Sequence, residues 1–202
     1  MPHPLAKPRG RPRSELAATA VLEAAYRLCA SGGLRGATIQ AICAESGVSK
    51  MTIYKWWDGR LQLLIDAYMR QATLLLPLSE TEPPAKAIRA HAQSYVTALQ
   101  GDLGRVQMAV LAECMAENGN SAVFVERYLS IRRKLGVSVI RRGQADGSIL
   151  SPRPAEALYD QIYGTIWYRF QFGLRALNKA FVDGLVEAVL ADGAEKKQSK
   201  PA

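Results

Sequence analysis

The chain has 202 residues, of which 49% are hydrophobic and 22% charged, and a formal net charge of +8. That is a globular composition with ample length for a buried core, in one large or two small domains. Apolar segments are interrupted by charge, and the basic, proline-containing start is not followed by a long apolar run, so neither a secretory nor a membrane-spanning segment is expected.

Residues 1–13 read as a disordered basic arm, because Pro8, Gly10 and Pro12 interrupt any helix among Arg9, Arg11 and Arg13. Ser14 is placed to cap a first helix whose small or apolar positions Ala17, Val21, Ala24, Ala25 and Leu28 share a face, with an end at Ser31-Gly32-Gly33. Thr38 caps the next, with Ile39, Ile42 and Cys43 on one side. Gly47 suits the left-handed geometry of a sharp exit. Val48 points back at the same apolar side, Ser49 caps a third helix, and Ile53 with Trp57 forms its buried stripe. Lys50, Met51, Thr52, Tyr54 and Lys55 are left facing outward. Two short helices joined by a tight glycine turn, the second bearing small polar and cationic groups, have the shape of a helix-turn-helix DNA reader.

Asp58 is a plausible cap for a fourth helix to about Leu76, lined by Leu61, Leu64, Ile65, Tyr68 and Met69. The helix-turn-helix unit is thus expected over 14–70 and a second helical domain over 71–192, with the boundary near 70–84. Ile88, His91, Ala92, Tyr95, Val96 and Leu99 follow a helical period. Val106, Val110, Leu111, Cys114 and Met115 follow it to Asn118-Gly119, and Phe124, Tyr128, Ile131, Leu135 and Val139 to Asp146-Gly147. Arg132, Arg133 and Lys134 read as a solvated face. Two last helices, about 152–190, carry a wide apolar stripe from Ala155 to Leu174 and then Phe181, Leu185 and Val189. So much bulk suggests burial against a second copy. Residues 193–202 read as a polar, disordered tail. No period-2 strand pattern is present, so the fold class is all-α: a three-helix helix-turn-helix domain plus a C-terminal helical bundle.

The charge is uneven. Residues 1–70 hold ten Lys/Arg against five Asp/Glu, and the remainder sixteen against thirteen. A positive N-terminal third suits a polyanion, through release of condensed counterions. Cys29, Cys43 and Cys114 lack zinc spacing and are odd in number, which reads as small buried residues in a reducing cytoplasm. Neither His3 nor His91 has a nucleophile partner in a known motif, and no phosphate-binding or dinucleotide motif occurs. Catalysis, metal and cofactor are therefore not expected.

The order of these parts resembles the TetR family of bacterial transcriptional regulators. The likeness lies in the basic arm, Val21 to Ala25, the Gly-rich turn, Ala37-Thr38-Ile39, Gly47-Val48-Ser49, Thr52-Ile53-Tyr54, Trp57 and Arg60. Cys43, Trp57, Arg60 and Leu61 depart from the family's commonest residues. The resemblance implies a ligand-responsive DNA-binding regulator, most simply a repressor. It would bind a pseudo-palindromic operator as a homodimer through its last two helices and be released by a small-molecule effector.

On that frame, Lys50 and Thr52 are suited to base edges. Thr38, Ser49, Tyr54, Lys55 and Arg60 are suited to phosphates. Arg9, Arg11 and Arg13 resemble an AT-hook core entering a minor groove. The implied effector pocket would draw on His91, Tyr95, Met108, Met115, Tyr163 and Trp167 as aromatic, polarisable or polar groups on inward stripes. A helical protein-interaction module, or a helical enzyme without DNA binding, is the alternative.

Overall fold

A computed structural model of the protein describes residues 11–174 and 177–191, and among these it is helical with no strand. The elements are α1 (Arg11–Gly36), α2 (Ile39–Ser46), α3 (Lys50–Trp56), α4 (Arg60–Leu75), α5 (Pro84–Leu99), α6 (Asp102–Asn118) and α7 (Ala122–Phe124). A π-helical turn (Val125–Leu129) leads into α8 (Ser130–Ala145), followed by α9 (Ala155–Gln171) and α10 (Lys179–Ala191).

Helix α1 begins at Arg11 rather than at Ser14. Pro12 sits in the first turn, where the backbone N–H it lacks has no intrahelical partner anyway, so the proline does not exclude helix there. At the other end the backbone breaks at Gly33, with φ 59°, and resumes a turn as far as Gly36. The α4 cap also differs from expectation. Gly59, with φ 119°, occupies the N-cap without a side-chain bond, and Asp58 is exposed beside it.

Two apolar clusters organise the molecule, and they do not divide at residues 70–84. The first joins α1 to α4 with α6: Val21, Ala24 and Ala25 of α1, Ile42, Ile53, Leu64, Ile65 and Tyr68, and Val106, Val110 and Cys114 of α6. The buried face of α1 is built mostly of small residues, which lets α2, α4 and α6 approach closely. The second cluster packs α5 against α8, α9 and α10 through Ile88, Ala92, Val96, Val137, Ile140, Leu158, Ile162, Ile166, Val182 and Val186. Helix α6 therefore belongs to the C-terminal half by sequence and to the N-terminal core by packing.

The π turn shifts the phase of the segment from 122 to 145. Phe124, Tyr128 and Val139 are buried as expected, but Ile131 and Leu135 are exposed, and Gly136, Val137 and Ile140 join the inward positions. An i→i+5 turn rotates everything after it relative to an uninterrupted 3.6-residue period. Arg132 thereby leaves the solvated face it was assigned and turns inward.

Most of the bulk on α9 and α10 fills the subunit's own core: Leu158, Tyr159, Ile162, Tyr163, Ile166 and Val189 are all buried. What stays outside is different in kind. Tyr168 and Phe172 are 57% and 62% exposed, and Ala180, Gly184 and Ala188 form a row of small exposed residues on α10. No helix among the described residues is long and apolar enough to cross a membrane.

Candidate DNA-reading surface and interior cavity

The α2–α3 corner is set by local hydrogen bonds. Thr38 Oγ1 accepts the Ala41 N–H at 3.1 Å, and Ser49 Oγ accepts the Thr52 N–H at 3.2 Å. Gly47, at φ 70°, returns its N–H to the Cys43 carbonyl. A side chain at Gly47 would meet left-handed strain, and loss of either cap would cost about 1 kcal/mol. Ile53 and Trp57 anchor α3 in the first core. The Trp57 indole N–H donates to Asp66 Oδ2 at 3.0 Å, which fixes where α3 ends relative to α4.

The outward face of α3 carries Lys50, Met51, Tyr54 and Lys55. Met51 is 83% exposed, more than any core role allows. The Lys50 ammonium lies 5.7 Å from the Tyr54 ring centroid, one turn along the same face. Neither Lys50 nor Lys55 forms an ion pair among the described residues, whereas Arg27, Arg60 and Arg70 are tied to Glu45, Glu113 and Glu23. The uncompensated charge of this corner is thus on α3. Thr52 Oγ1 lies 2.9 Å from Ser49 Oγ, so these two hydroxyls are engaged with one another and the cap.

Arg60, expected at a phosphate, is held by partners within the protein. Its Nε donates to Glu113 at 2.9 Å, a second nitrogen contacts the same carboxylate, and Nη1 donates to the Leu34 carbonyl at 3.1 Å. The guanidinium is consumed in joining α4 to α6. Arg9 lies outside the described residues, and Arg11 and Arg13 belong to the first turn of α1.

A cavity of about 440 Å³ opens between α5, α6, the α7–α8 segment and α9. His91, Tyr95, Tyr163 and Trp167 line it together, as their inward stripes implied. Met108 and Met115 do not line it. They are 38% and 55% exposed, because packing on α1 and α4 turns the Val106, Gln107, Val110 and Cys114 side of α6 inward instead. The wall also contains Gln107, Phe124, Tyr128, Arg132 and Tyr159, which the sequence reading did not assign to a pocket. Arg132 carried no readable signal, since its inward turn depends on the π turn. Phe124 and Tyr128 were legible as an inward pair.

Polar groups in the wall form a connected chain. Arg132 donates to the Leu76 carbonyl at 2.5 Å and lies 2.7 Å from His91 Nε2, and His91 Nδ1 is 2.6 Å from the Tyr163 hydroxyl. Burial, and then the Arg132 charge, push the His91 pKa from its ordinary 6.5 down to about 3. The imidazole is therefore neutral at physiological pH. Burial raises the Tyr95, Tyr159 and Tyr163 phenols above their ordinary range, so all three keep their protons. Tyr68 of α4 donates to Gln107 Oε1 at 2.7 Å, and the Gln107 amide reaches the Tyr95 hydroxyl at 3.2 Å. The wall is thus hydrogen-bonded directly to α4. Among the described residues no group of three or more His, Cys, Asp or Glu could hold a metal ion.

Comparison with known proteins agrees with this layout. Residues 21–67 match the family model for bacterial regulatory proteins of the tetR family, and residues 78–189 match a tetracyclin repressor-like C-terminal domain. The chain is 30% identical over 178 residues to YdeS, an uncharacterised HTH-type transcriptional regulator of Bacillus subtilis (strain 168), covering 88% of this chain and 90% of that one. It shares its fold with the TetR family regulator SCO0332, at TM-score 0.75 and 24% identity over 86% of this chain and 96% of the other. It also shares it with AibR in complex with isovaleryl coenzyme A and operator DNA, at TM-score 0.59 and 17% identity over 87% and 98%.

Proposed function

The chain belongs to the TetR family of transcriptional regulators, which bind DNA through a helix-turn-helix, and from that premise we propose that it is a cytoplasmic, homodimeric repressor released from its operator by a small molecule held in the α5–α9 cavity. The observation that carries the reading is the joint between cavity and DNA-reading unit. Gln107 lines the cavity and binds Tyr68 of α4, and Glu113, further along the same α6, holds Arg60 at the start of α4. A ligand that repositions α6 moves α4 with it, and α4 carries the helix-turn-helix.

In this reading α3 enters the major groove. Lys50 reads guanine O6/N7, and the Met51 side chain and the Thr52 methyl meet thymine methyls. Thr38, Ser49, Tyr54 and Lys55 contact phosphates, the two capping hydroxyls through their remaining donor capacity. Arg9, Arg11 and Arg13, as an AT-hook-like segment, are proposed to enter the adjacent minor groove. Two copies pair through α9 and α10, where the exposed Ala180, Gly184 and Ala188 permit close helix approach and Tyr168 and Phe172 supply apolar cover. Pairing sets the two α3 helices about 34 to 36 Å apart, one turn of duplex. AibR, a protein of the same fold, was crystallised with isovaleryl coenzyme A and operator DNA, which supports a fold that serves both a small molecule and DNA.

Selection of duplexes from a random pool by the purified full chain, followed by footprinting, tests the reading. It predicts a pseudo-palindrome with half-sites one helical turn apart, protected by a dimer. Recovery of no common sequence, or of a single half-site by a monomer, contradicts it.

A further inference from the structure

The polar edge of the cavity sets the donors Arg132 and Tyr163 on one side and a single carboxylate, Asp160, at the rim. Arg132 is half-buried, and its hydrogen-bonded neighbours are neutral: the Leu76 carbonyl, His91 Nε2 and the Tyr128 hydroxyl. Among the described residues it forms no ion pair, although Arg127, Arg133 and Arg141 nearby each hold a carboxylate, from Asp66, Asp160 and Glu156. A cation withdrawn from water without a counter-charge is costly, and the cost falls when an anion arrives.

His91 cannot supply that charge. Its Nε2 faces the Arg132 N–H, so the ring proton sits on Nδ1 and is donated to the Tyr163 oxygen at 2.6 Å. The Tyr163 hydroxyl then has its own proton to give, and no protein acceptor for it occurs among the described residues. The Gln107 carbonyl already has the Tyr68 hydroxyl at 2.7 Å and the Tyr95 hydroxyl at 3.3 Å as partners. Asp160, at the rim, is held by both Nε and Nη2 of Arg133, which screens its repulsion of an incoming anion. The rest of the wall is mostly apolar: the rings of Tyr95, Phe124, Tyr128, Tyr159 and Trp167 dominate it, with Leu111, Val125 and Leu129 between them. The volume of about 440 Å³ lies toward the small end of ligand sites, which run from about 300 to 1,000 Å³.

We propose that the cavity binds an aromatic monocarboxylic acid of one or two rings, its carboxylate on the Arg132 guanidinium and the Tyr163 hydroxyl and its ring among Tyr95, Phe124 and Trp167. The inference rests on the reading of this cavity as the effector site. It adds that the site selects a single negative charge, through charge-assisted bonds of the kind that guanidinium and carboxylate make.

The test is calorimetric titration of the full chain with four molecules of one shape: 2-naphthoate, 2-naphthamide, 2-naphthol and 2-naphthylmethylamine. The expected result is that 2-naphthoate binds about tenfold or more tightly than the amide. Arg132→Gln removes that preference by weakening the acid far more than the amide, Arg132→Lys keeps part of it, and Tyr163→Phe weakens the acid more than the amide. Acid and amide binding equally, or the amine binding best, overturns charge selection and leaves the cavity as an effector site. Failure of all four to bind at millimolar concentration overturns the aromatic-acid proposal but not the effector reading, which fails if cavity substitutions such as Tyr159→Ala leave operator binding and its response to every small molecule tried unchanged.

Discussion

The guanidinium of Arg60, the first residue of α4, is closed on the carboxylate of Glu113 near the end of α6, with Nε donating at 2.9 Å. Fifty-three positions separate the two residues. The Glu113 side chain is only 7% exposed and that of Arg60 31%, so the pair is a partly buried tie between the DNA-reading unit and the helix that lines the cavity. Removing one member leaves the other without its partner. Glu113→Gln is expected to cost about 1–3 kcal/mol in chemical denaturation, discounted for the partial exposure of Arg60. Arg60→Ala is expected to leave the salt dependence of DNA binding unchanged. A salt slope reduced by one unit in Arg60→Ala would instead place this residue on a phosphate.

The two lysines of α3 are expected to separate by role. Lys50→Ala weakens binding to the selected operator and relaxes preference at one base position, by about 1–3 kcal/mol. Lys55→Ala weakens binding to every duplex alike and lowers the salt slope by about 1. Fluorescence anisotropy on operator and random DNA at several salt concentrations distinguishes them, and identical behaviour of the two variants contradicts the assignment.

Gly136 on α8 has no room for a methyl group, because a Cβ there would lie 2.2 Å from Tyr159 Cε2. The Tyr159 ring stacks on Tyr163, with centroids 4.3 Å apart, and both line the cavity. Gly136→Ala is expected to destabilise by about 1–3 kcal/mol through overpacking and to weaken ligand binding by pushing the ring inward. Gly32→Ala, on α1 away from the cavity and with nothing within 4 Å, serves as the control. A thermal melt and a titration of both variants check this, and equal effects would show that the crowding is relieved elsewhere.

Acid should loosen the cavity wall. The folded protein holds the His91 pKa at about 3 against an ordinary 6.5, so between those values the unfolded chain binds the proton more readily. Stability from this group is full above pH 6.5 and falls as pH drops below it, by about 1.4 kcal/mol per unit at the steepest. The melting temperature is expected to fall between pH 7.5 and 5.5, and to fall less in His91→Gln. An equal fall in wild type and variant would assign the loss to other groups.

What local chemistry decides was legible in the sequence. The Thr38 and Ser49 caps, the left-handed Gly47 and the Ile53 and Trp57 anchors act within four residues of themselves, and the resulting corner is where composition and order placed it. The inward positions of His91, Tyr95, Tyr163 and Trp167 followed from uninterrupted helical periods. Readings failed where a distant partner or an irregular turn intervened. Arg60 turns inward because Glu113 meets it in space. Met108 and Met115 turn outward because α6 is rotated by its packing on α1 and α4. Arg132 faces the cavity because five residues of π helix shift the phase ahead of it. Pro12, expected to interrupt a helix, falls in the first turn of α1, where its missing N–H has no intrahelical partner anyway.

The central claim, that α3 of a homodimer reads one operator and that the cavity loosens its hold, is tested most directly by anisotropy of the selected operator duplex, with and without saturating 2-naphthoate, in wild type and Arg132→Gln. The prediction is cooperative binding of two subunits per duplex, weakened about tenfold or more by 2-naphthoate in wild type and not in Arg132→Gln. Operator affinity no greater than that for random DNA, or an equal loss in both proteins, contradicts it.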